Sequence, residues 1–264
     1  MDIAAFARFH LPALYADEIA YTVQIAVIEA AAKSMPEGFA FWSLGGPSHM
    51  AIKTPGRNIL LGLIVPDESH TLARLTKDVP YPGMMGPRAA ARQFVTDASS
   101  LGAAFADPIE MRVHALSKAP RHPGADGEAR RVEASDAALL HDWLSAFQAE
   151  AVPHEPAPTL EGAAQAAASG RYWFWTRAGK PVSVACIHRS LKASAAIGAV
   201  YTPPDQRGRG FAGSVVARCC DEIFASGRST VCLYTNLVNP ASNRCYEKIG
   251  LISHCDTAMF HRTA

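Results

Sequence analysis

The sequence predicts an α/β protein in which helices flank a central sheet. Short runs of β-branched and aromatic residues alternate with longer runs that carry apolar residues at helical spacing. Gly, Pro and Asp cluster between these runs, as turns require. A polar stretch rich in Pro and Gly divides the chain, so we predict an N-terminal domain over residues 1–118, a linker over 119–128 and a C-terminal domain over 129–264.

The composition is that of an ordinary globular protein. The chain has 264 residues and a formal net charge of +1, with 49% hydrophobic and 19% charged residues. It has no basic tail and no clustered Lys/Arg face, so we expect neither a nucleic-acid nor a membrane partner. The chain start lacks the basic residues of a signal peptide, and no apolar run reaches the roughly 18 residues that span a bilayer, so we expect a cytoplasmic protein. The His and Cys spacings suit no metal, and we expect none.

The first 118 residues have the pattern of two helices, three short strands and a strand–helix alternation. The helices are predicted over residues 3–14 and 17–30, where apolar residues recur at helical spacing. The remaining predicted elements are strands at 39–44, 50–54 and 58–65, helices at 69–77 and 87–101, and a strand at 110–116.

The C-terminal domain has the predicted order β-α-α-β-β-β-α-β-α-β. Asp136 and Thr159 are expected to cap its first two helices. A last strand at 257–262 is expected to complete its sheet. The other predicted elements are strands at 129–134, 172–176, 182–188, 193–201 and 231–235 and helices at 214–225 and 240–250.

The most informative stretch is the glycine- and arginine-rich loop that follows the strand at 193–201. It contains Arg207, Gly208, Arg209 and Gly210 and leads into a helix. A helix N-terminus offers unpaired backbone N–H groups and the positive end of the helix dipole, which together favour phosphate. The glycines allow close approach, and the arginines add positive charge. Because the loop fits neither the dinucleotide fingerprint nor the nucleoside-triphosphate loop, the sequence predicts another phosphorylated ligand.

Two motifs resemble those of the GNAT (GCN5-related N-acetyltransferase) superfamily. The pattern R-x-x-G-x-A, formed by Arg207, Gly210 and Ala212, resembles its pyrophosphate-binding loop. A second element, similar to N-x-x-[SA]-x-x-x-Y-x-K-x-G-[FL], starts at Asn239 and includes Tyr246. The resemblance implies the GNAT fold, with a mixed, mostly antiparallel central sheet flanked by helices, in two tandem GNAT-like domains.

The resemblance also implies an activity. Acetyl-CoA would be the co-substrate, and its acetyl group would pass directly, in a ternary complex, to a primary amine of a small molecule. A backbone N–H near Val200 would polarise the thioester carbonyl, and Tyr246 would donate a proton to the leaving sulfur. The residues implied to contact acetyl-CoA are Val200, Tyr201, Thr202, Arg207, Gly208, Arg209, Gly210, Phe211, Ala212, Asn239 and Ser242.

The N-terminal domain is expected to be a degenerate copy. Its counterpart of the phosphate loop would be Gly83–Pro87, which has neither the arginines nor the R-x-x-G-x-A spacing. We therefore expect this domain to bind no CoA.

The sequence leaves the proton acceptor open. Many members of the superfamily carry a glutamate on the strand before the loop, but residues 193–201 offer no carboxylate. The candidates are His154, Glu155, His188 and a chain of waters.

Two other function classes also stay open. One is a non-catalytic acyl-CoA-binding module with a regulatory or structural role, and the other is a protein N-terminal or lysine acetyltransferase. A homodimer stays open as well.

Overall fold

The computed structural model describes residues 1–263, which form two compact units. Unit 1 comprises residues 1–113 and 234–239 and the C-terminal segment from residue 253, and unit 2 comprises residues 114–233 and 240–252. The last predicted strand therefore belongs to unit 1, and the expectation that it completes the sheet of the C-terminal domain is wrong. The division into two tandem GNAT-like domains at residues 119–128 stays a prediction.

The helices and strands follow the predicted order closely. In chain order they are α1 (Ile3–Tyr15), α2 (Thr22–Lys33), β1 (Ala40–Ser43), β2 (Met50–Lys53), β3 (Ile59–Leu61), α3 (Pro66–Leu75), β4 (Gly83–Pro87), α4 (Arg88–Ser100), β5 (Ala104–Phe105), β6 (Ile109–Leu116), β7 (Glu128–Arg131), α5 (Ala137–Ala151), α6 (Leu160–Ala168), β8 (Tyr172–Arg177), β9 (Lys180–Ser190), β10 (Ser194–Tyr201), α7 (Phe211–Ala225), β11 (Thr230–Asn236), α8 (Pro240–Ile249) and β12 (Ile252–Thr263).

In unit 1 the strand order is β1-β2-β3-β4-β12-β6. The segment Gly83–Pro87, expected to be a loop, is strand β4, parallel to β3 and antiparallel to β12. Its glycines permit tight pairing, since a Cβ at Gly83 would lie 2.2 Å from the carbonyl oxygen of Phe260 and one at Gly86 would lie 2.7 Å from the Cβ of Leu61. The loop expectation is therefore wrong, because these glycines serve close strand packing and α4 follows β4 directly.

In unit 2 the strand order is β11-β10-β9-β8-β7. Strand β10 is parallel to β11 and antiparallel to β9, and the β8–β9 and β7–β8 pairs are antiparallel. Alternate residues face opposite sides of the sheet. Trp173 and Ala185 pack with α7 and α8 on one side, whereas Phe174 and Val184 pack with α5 and α6 on the other. Unit 2 thus has a helical layer on each face of its sheet.

Residues 119–128, expected to be a linker, pack against α7 and α8 of unit 2. The Arg121 backbone N–H donates to the carbonyl of Ile249 over 2.9 Å. A Cβ at Gly213 would lie 3.0 Å from the Cγ of Pro123. The segment is therefore a structural part of unit 2 rather than a free connection.

Replacing Phe174 by Ala tests the core of unit 2. The ring is fully buried and lies 5.2 Å from the ring of Trp143 on α5. Its loss should lower the free energy of unfolding by about 3–5 kcal/mol, since a cavity remains. Urea denaturation measures this change. The control Leu160→Ala, at a side chain that is 59% exposed, should change the value by at most about 0.5 kcal/mol, and equal effects of the two variants would contradict the core assignment.

Candidate active site

The predicted phosphate loop, Thr202–Gly210, connects β10 to α7 in unit 2. Gly208 and Gly210 have φ angles of +78° and +82°. Glycine is favoured in this left-handed region because it has no Cβ. Gly210 caps α7, whose first residue is Phe211. The first N–H groups of α7 have no acceptor within the helix, so they are available at the loop.

The two loop arginines have different surroundings. The Nη2 atom of Arg207 lies 2.9 and 2.7 Å from the two carboxylate oxygens of Glu150, and its Nε donates to the carbonyl of Thr202 over 2.9 Å. The charge of Arg207 is thus paired, and its side chain anchors the loop to the end of α5. Arg209 is exposed and donates over 3.4 Å to the side-chain oxygen of Gln206. Of the two, Arg209 is the better placed to meet an incoming anion.

Sequence reasoning did not find Glu150. It lies 57 positions before Arg207, and its place at the end of a helix with one polar side resembles that of any solvated carboxylate. No local motif links the two residues, so only the folded chain identifies the pair.

Strand β10 separates from its parallel neighbour before it reaches the loop. The ladder with β11 joins Ser194–Ile197 to Thr230–Leu233, whereas β10 continues to Tyr201. Its pairing with β9 shifts register after Gly198, and Ala199 has a φ of +48°. This irregularity is a β-bulge. The three residues at the bulge are partly exposed, so the strand presents backbone there rather than a closed ladder.

Val200 and Tyr246 lie in the same core. Tyr246, on α8, is 7% exposed and belongs to a buried cluster with Ile197 and Val215, and Val200 packs against that cluster. Burial, with a smaller contribution from the neighbouring Cys245, raises the pKa of the Tyr246 hydroxyl well above its ordinary value. The hydroxyl is therefore protonated at neutral pH, as a proton donor must be.

Some predicted contact residues have side chains in the core, so that only their backbone could meet a ligand. Tyr201 is 8% and Phe211 is 3% exposed. The carbonyl of Tyr201 accepts a hydrogen bond from Ser183 over 3.0 Å, and the same Ser183 hydroxyl lies 2.8 Å from that of Thr202. These bonds fix the end of β10.

Asn239 and Ser242, the two remaining predicted contact residues, lie at the start of α8. Asn239 belongs to unit 1, whereas the loop belongs to unit 2, and Ser242 lies in the first turn of α8. The roles of both residues stay predictions.

His188, on β9, lies against the β10 bulge. A Cβ at Gly198 would lie 2.3 Å from the Nε2 of His188, so the imidazole rests on the backbone of Gly198. The residue stays exposed to solvent. The protein around the ring removes enough hydration to lower the pKa of His188, and the charges of Arg189 and Arg171 lower it further. The imidazole is consequently neutral at pH 7, with a free nitrogen lone pair, and the lowered pKa makes it a weaker base than an ordinary histidine.

The other candidate proton acceptors lie in the loop after α5. His154 and Glu155 are both exposed there. The backbone N–H of Glu155 donates to the carbonyl of Val152 over 2.9 Å, and its own carbonyl accepts from the side chain of Gln148 over 2.7 Å. These bonds hold Glu155 to its own loop and helix, whereas His188 touches β10 itself.

Neither a metal centre nor a membrane segment is found in residues 1–263. No group of three His, Cys, Asp or Glu side chains in this range could hold a metal ion. Likewise, no helix in the described chain combines the length and apolar character that crossing a bilayer requires.

Comparisons with known proteins match both the segment that carries the site and the whole fold. Residues 180–260 match the family described as FR47-like protein. A Drosophila protein of known structure is similar over 99% of this chain and 97% of its own, with a TM-score of 0.69 and 14% identity. A GCN5-related N-acetyltransferase from Kribbella flavida is similar over 93% of this chain and 96% of its own, with a TM-score of 0.62 and 13% identity. One from Sphaerobacter thermophilus is similar over 94% of this chain and 91% of its own, with a TM-score of 0.61 and 15% identity. No curated protein matches the chain.

These similarities define the fold class of the chain. The predicted mixed, mostly antiparallel α/β class is confirmed, and its arrangement is the GNAT fold. The segment that matches the FR47-like family, residues 180–260, includes the predicted phosphate loop and Tyr246.

Placing a methyl group at Gly198 tests the contact with His188. Gly198→Ala should displace the imidazole and lower the free energy of unfolding by about 1 kcal/mol, because the new Cβ overlaps the ring. In a His188→Ala background the same change should cost clearly less, which a double-mutant cycle in urea measures. Equal costs in the two backgrounds would show that the ring does not rest on Gly198.

Proposed function

We propose that this protein transfers an acetyl group from acetyl-CoA to a primary amine of a small molecule. The observation that carries the proposal is the adjacency, within unit 2, of a helix N-terminus with a glycine loop and a strand that leaves its neighbour just before that loop. The loop suits the phosphates of a CoA molecule, and the separated strand suits its thioester arm.

The loop fits a pyrophosphate group in both shape and charge. A Cβ at Gly208 would have no atom within 4 Å, so the loop is open to solvent there. The N–H groups at the start of α7 supply donors, and backbone amides at a helix N-terminus bind anions well. Arg209 adds a positive charge whose only described hydrogen bond is the long one to Gln206. Phe211 and Ala212 would contribute through their backbone.

The bulge on β10 fits the thioester end. From Gly198 to Tyr201 the bulged strand runs alongside only two residue steps of β9, Cys186 to Val184, or about 7 Å, so an arm anchored at the loop could run back along its free edge. The N–H of Val200, beside the bulge, would polarise the thioester carbonyl as negative charge develops on its oxygen. A donor held in place by the strand costs no reorganisation during the reaction.

Tyr246 is the proposed acid. When the amine nitrogen attacks the carbonyl carbon, the sulfur leaves with the electrons of the C–S bond and needs a proton. The Tyr246 hydroxyl is protonated at neutral pH and lies in the cluster against which Val200 packs. Because an ordinary thiol is more acidic than an ordinary phenol, a water or another donor must stabilise the tyrosinate.

Acetyl-CoA binding is tested by thermal unfolding with Gly208→Glu. Saturation at 100 times Kd should stabilise the wild-type protein by about 2.7 kcal/mol and raise its Tm. Gly208→Glu should abolish this rise because its carboxylate would repel the phosphates. Gly179→Glu is a matched control, since Gly179 also has a positive φ, +73°, and open surroundings but lies in the β8–β9 turn. The same rise in all three proteins would contradict the loop assignment.

The acid is tested by Tyr246→Phe, which removes one oxygen atom. Release of CoA thiol with a panel of primary amines should slow on the order of 10²-fold in kcat, because the sulfur loses its proton donor. The rise in Tm caused by acetyl-CoA should stay as in the wild type. An unchanged kcat would leave Tyr246 as a packing residue.

A further inference from the structure

We infer that His188 is the catalytic base, which accepts a proton from the attacking amine at its position over Gly198. The inference rests on the proposed function and deepens it, since it supplies the proton acceptor for which β10 has no carboxylate. The position of the ring, the chemistry of its neighbours and its access to water all support this role.

The position of the ring matches the path of an incoming nucleophile. Its Nε2 lies against Gly198, the first residue of β10 beyond the ladder with β11. Val200, the proposed donor to the carbonyl, is two residues further on, within the roughly 7 Å that the bulged strand covers between Gly198 and Tyr201. An amine that approaches a carbonyl held at Val200 would therefore come within reach of the imidazole. Gly198 makes this possible, because any larger residue would push the ring away.

The titratable neighbours of the ring are poorer bases at neutral pH. The thiol of Cys186, the register partner of Gly198, has its pKa raised to about 11 by burial and is therefore protonated. The pKa of Tyr172, which shares a hydrogen bond with that thiol, is also raised by burial. Residues 195–200 of β10 carry no ionisable side chain. The charged groups that act on His188 are Arg171 and Arg189.

These two arginines also favour release of the proton. They destabilise the imidazolium ion by like-charge repulsion, so a proton taken up by His188 is passed on rather than retained. Because His188 is exposed, water can receive it directly. The neutral form is thus restored for the next turnover.

An alkylammonium ion gives one proton to Nε2 of His188, and the neutral nitrogen forms a bond to the acetyl carbon. The C–S bond breaks, and the sulfur takes a proton from Tyr246. The nitrogen loses its second proton through solvent, and this restores the tyrosine. The products are the amide, the CoA thiol and one proton released to water by His188.

Two measurements on the full chain test the role of His188. In NMR spectra of the imidazole groups, the His188 signal is assigned by its absence in His188→Gln. Acetyl-CoA should shift this signal, whereas adenosine 3′,5′-bisphosphate, which lacks the thioester arm, should not. In kinetics, His188→Gln should lower kcat on the order of 10²-fold for alkylamines, with a smaller loss for aromatic amines, which are already neutral at pH 7. His141→Gln, on α5, is the control and should keep the wild-type rate.

The outcomes separate this inference from the proposed function. If acetyl-CoA gives no thermal shift in the wild type, the proposed function itself fails. If the thermal shift occurs but the His188 signal does not move, the phosphate loop stands and the role of His188 is refuted. A His188→Gln variant with the wild-type kcat, or with equal losses for alkyl and aromatic amines, would also overturn it.

Discussion

The hydrogen-bonded ladder between β10 and β11 ends at Ile197, and the chemistry proposed for unit 2 depends on that ending. A ladder continued to Tyr201 would use the backbone groups of the strand in pairing and leave none for a ligand. Instead, Ala199 adopts a left-handed conformation, of a kind that costs about 1–3 kcal/mol and persists only where its surroundings hold it. The pairing with β9 and the hydrogen bond from Ser183 to the carbonyl of Tyr201 provide such surroundings.

The anion site proposed for the loop after this strand would rely more on backbone geometry than on net charge. One of its two arginines is paired with Glu150, so its main effect is to fix the loop against α5. The remaining positive potential comes from Arg209 and from the unpaired amides at the start of α7, which are held in place by the glycine conformations. A protein with a formal net charge of +1 can therefore still present a focused site for a phosphorylated ligand.

Features encoded within a few neighbouring residues could be predicted from the sequence. The helix from Pro240 to Ile249 and the cap by Thr159, whose hydroxyl accepts from the Gly162 N–H over 3.0 Å, are confirmed because capping residues and helical spacing are local signals. Strand β4 could not be predicted locally, because glycine and proline indicate a turn unless a neighbouring strand requires their small size or fixed conformation. The Glu150–Arg207 pair and the contact of His188 with Gly198 depend on tertiary packing, which no short motif records.

The position of β12 has a consequence for biosynthesis. This strand lies between β4 and β6 in unit 1, yet it follows the residues of unit 2 in the sequence. A ribosome adds about 5–20 residues per second, so residues 1–113 emerge well before the strand that completes their sheet. Until then β4 and β6 have exposed edges, which can pair with other chains. The sheet of unit 1 thus becomes complete only once β12 has been synthesised, and loss of β12 would leave β4 and β6 with exposed edges.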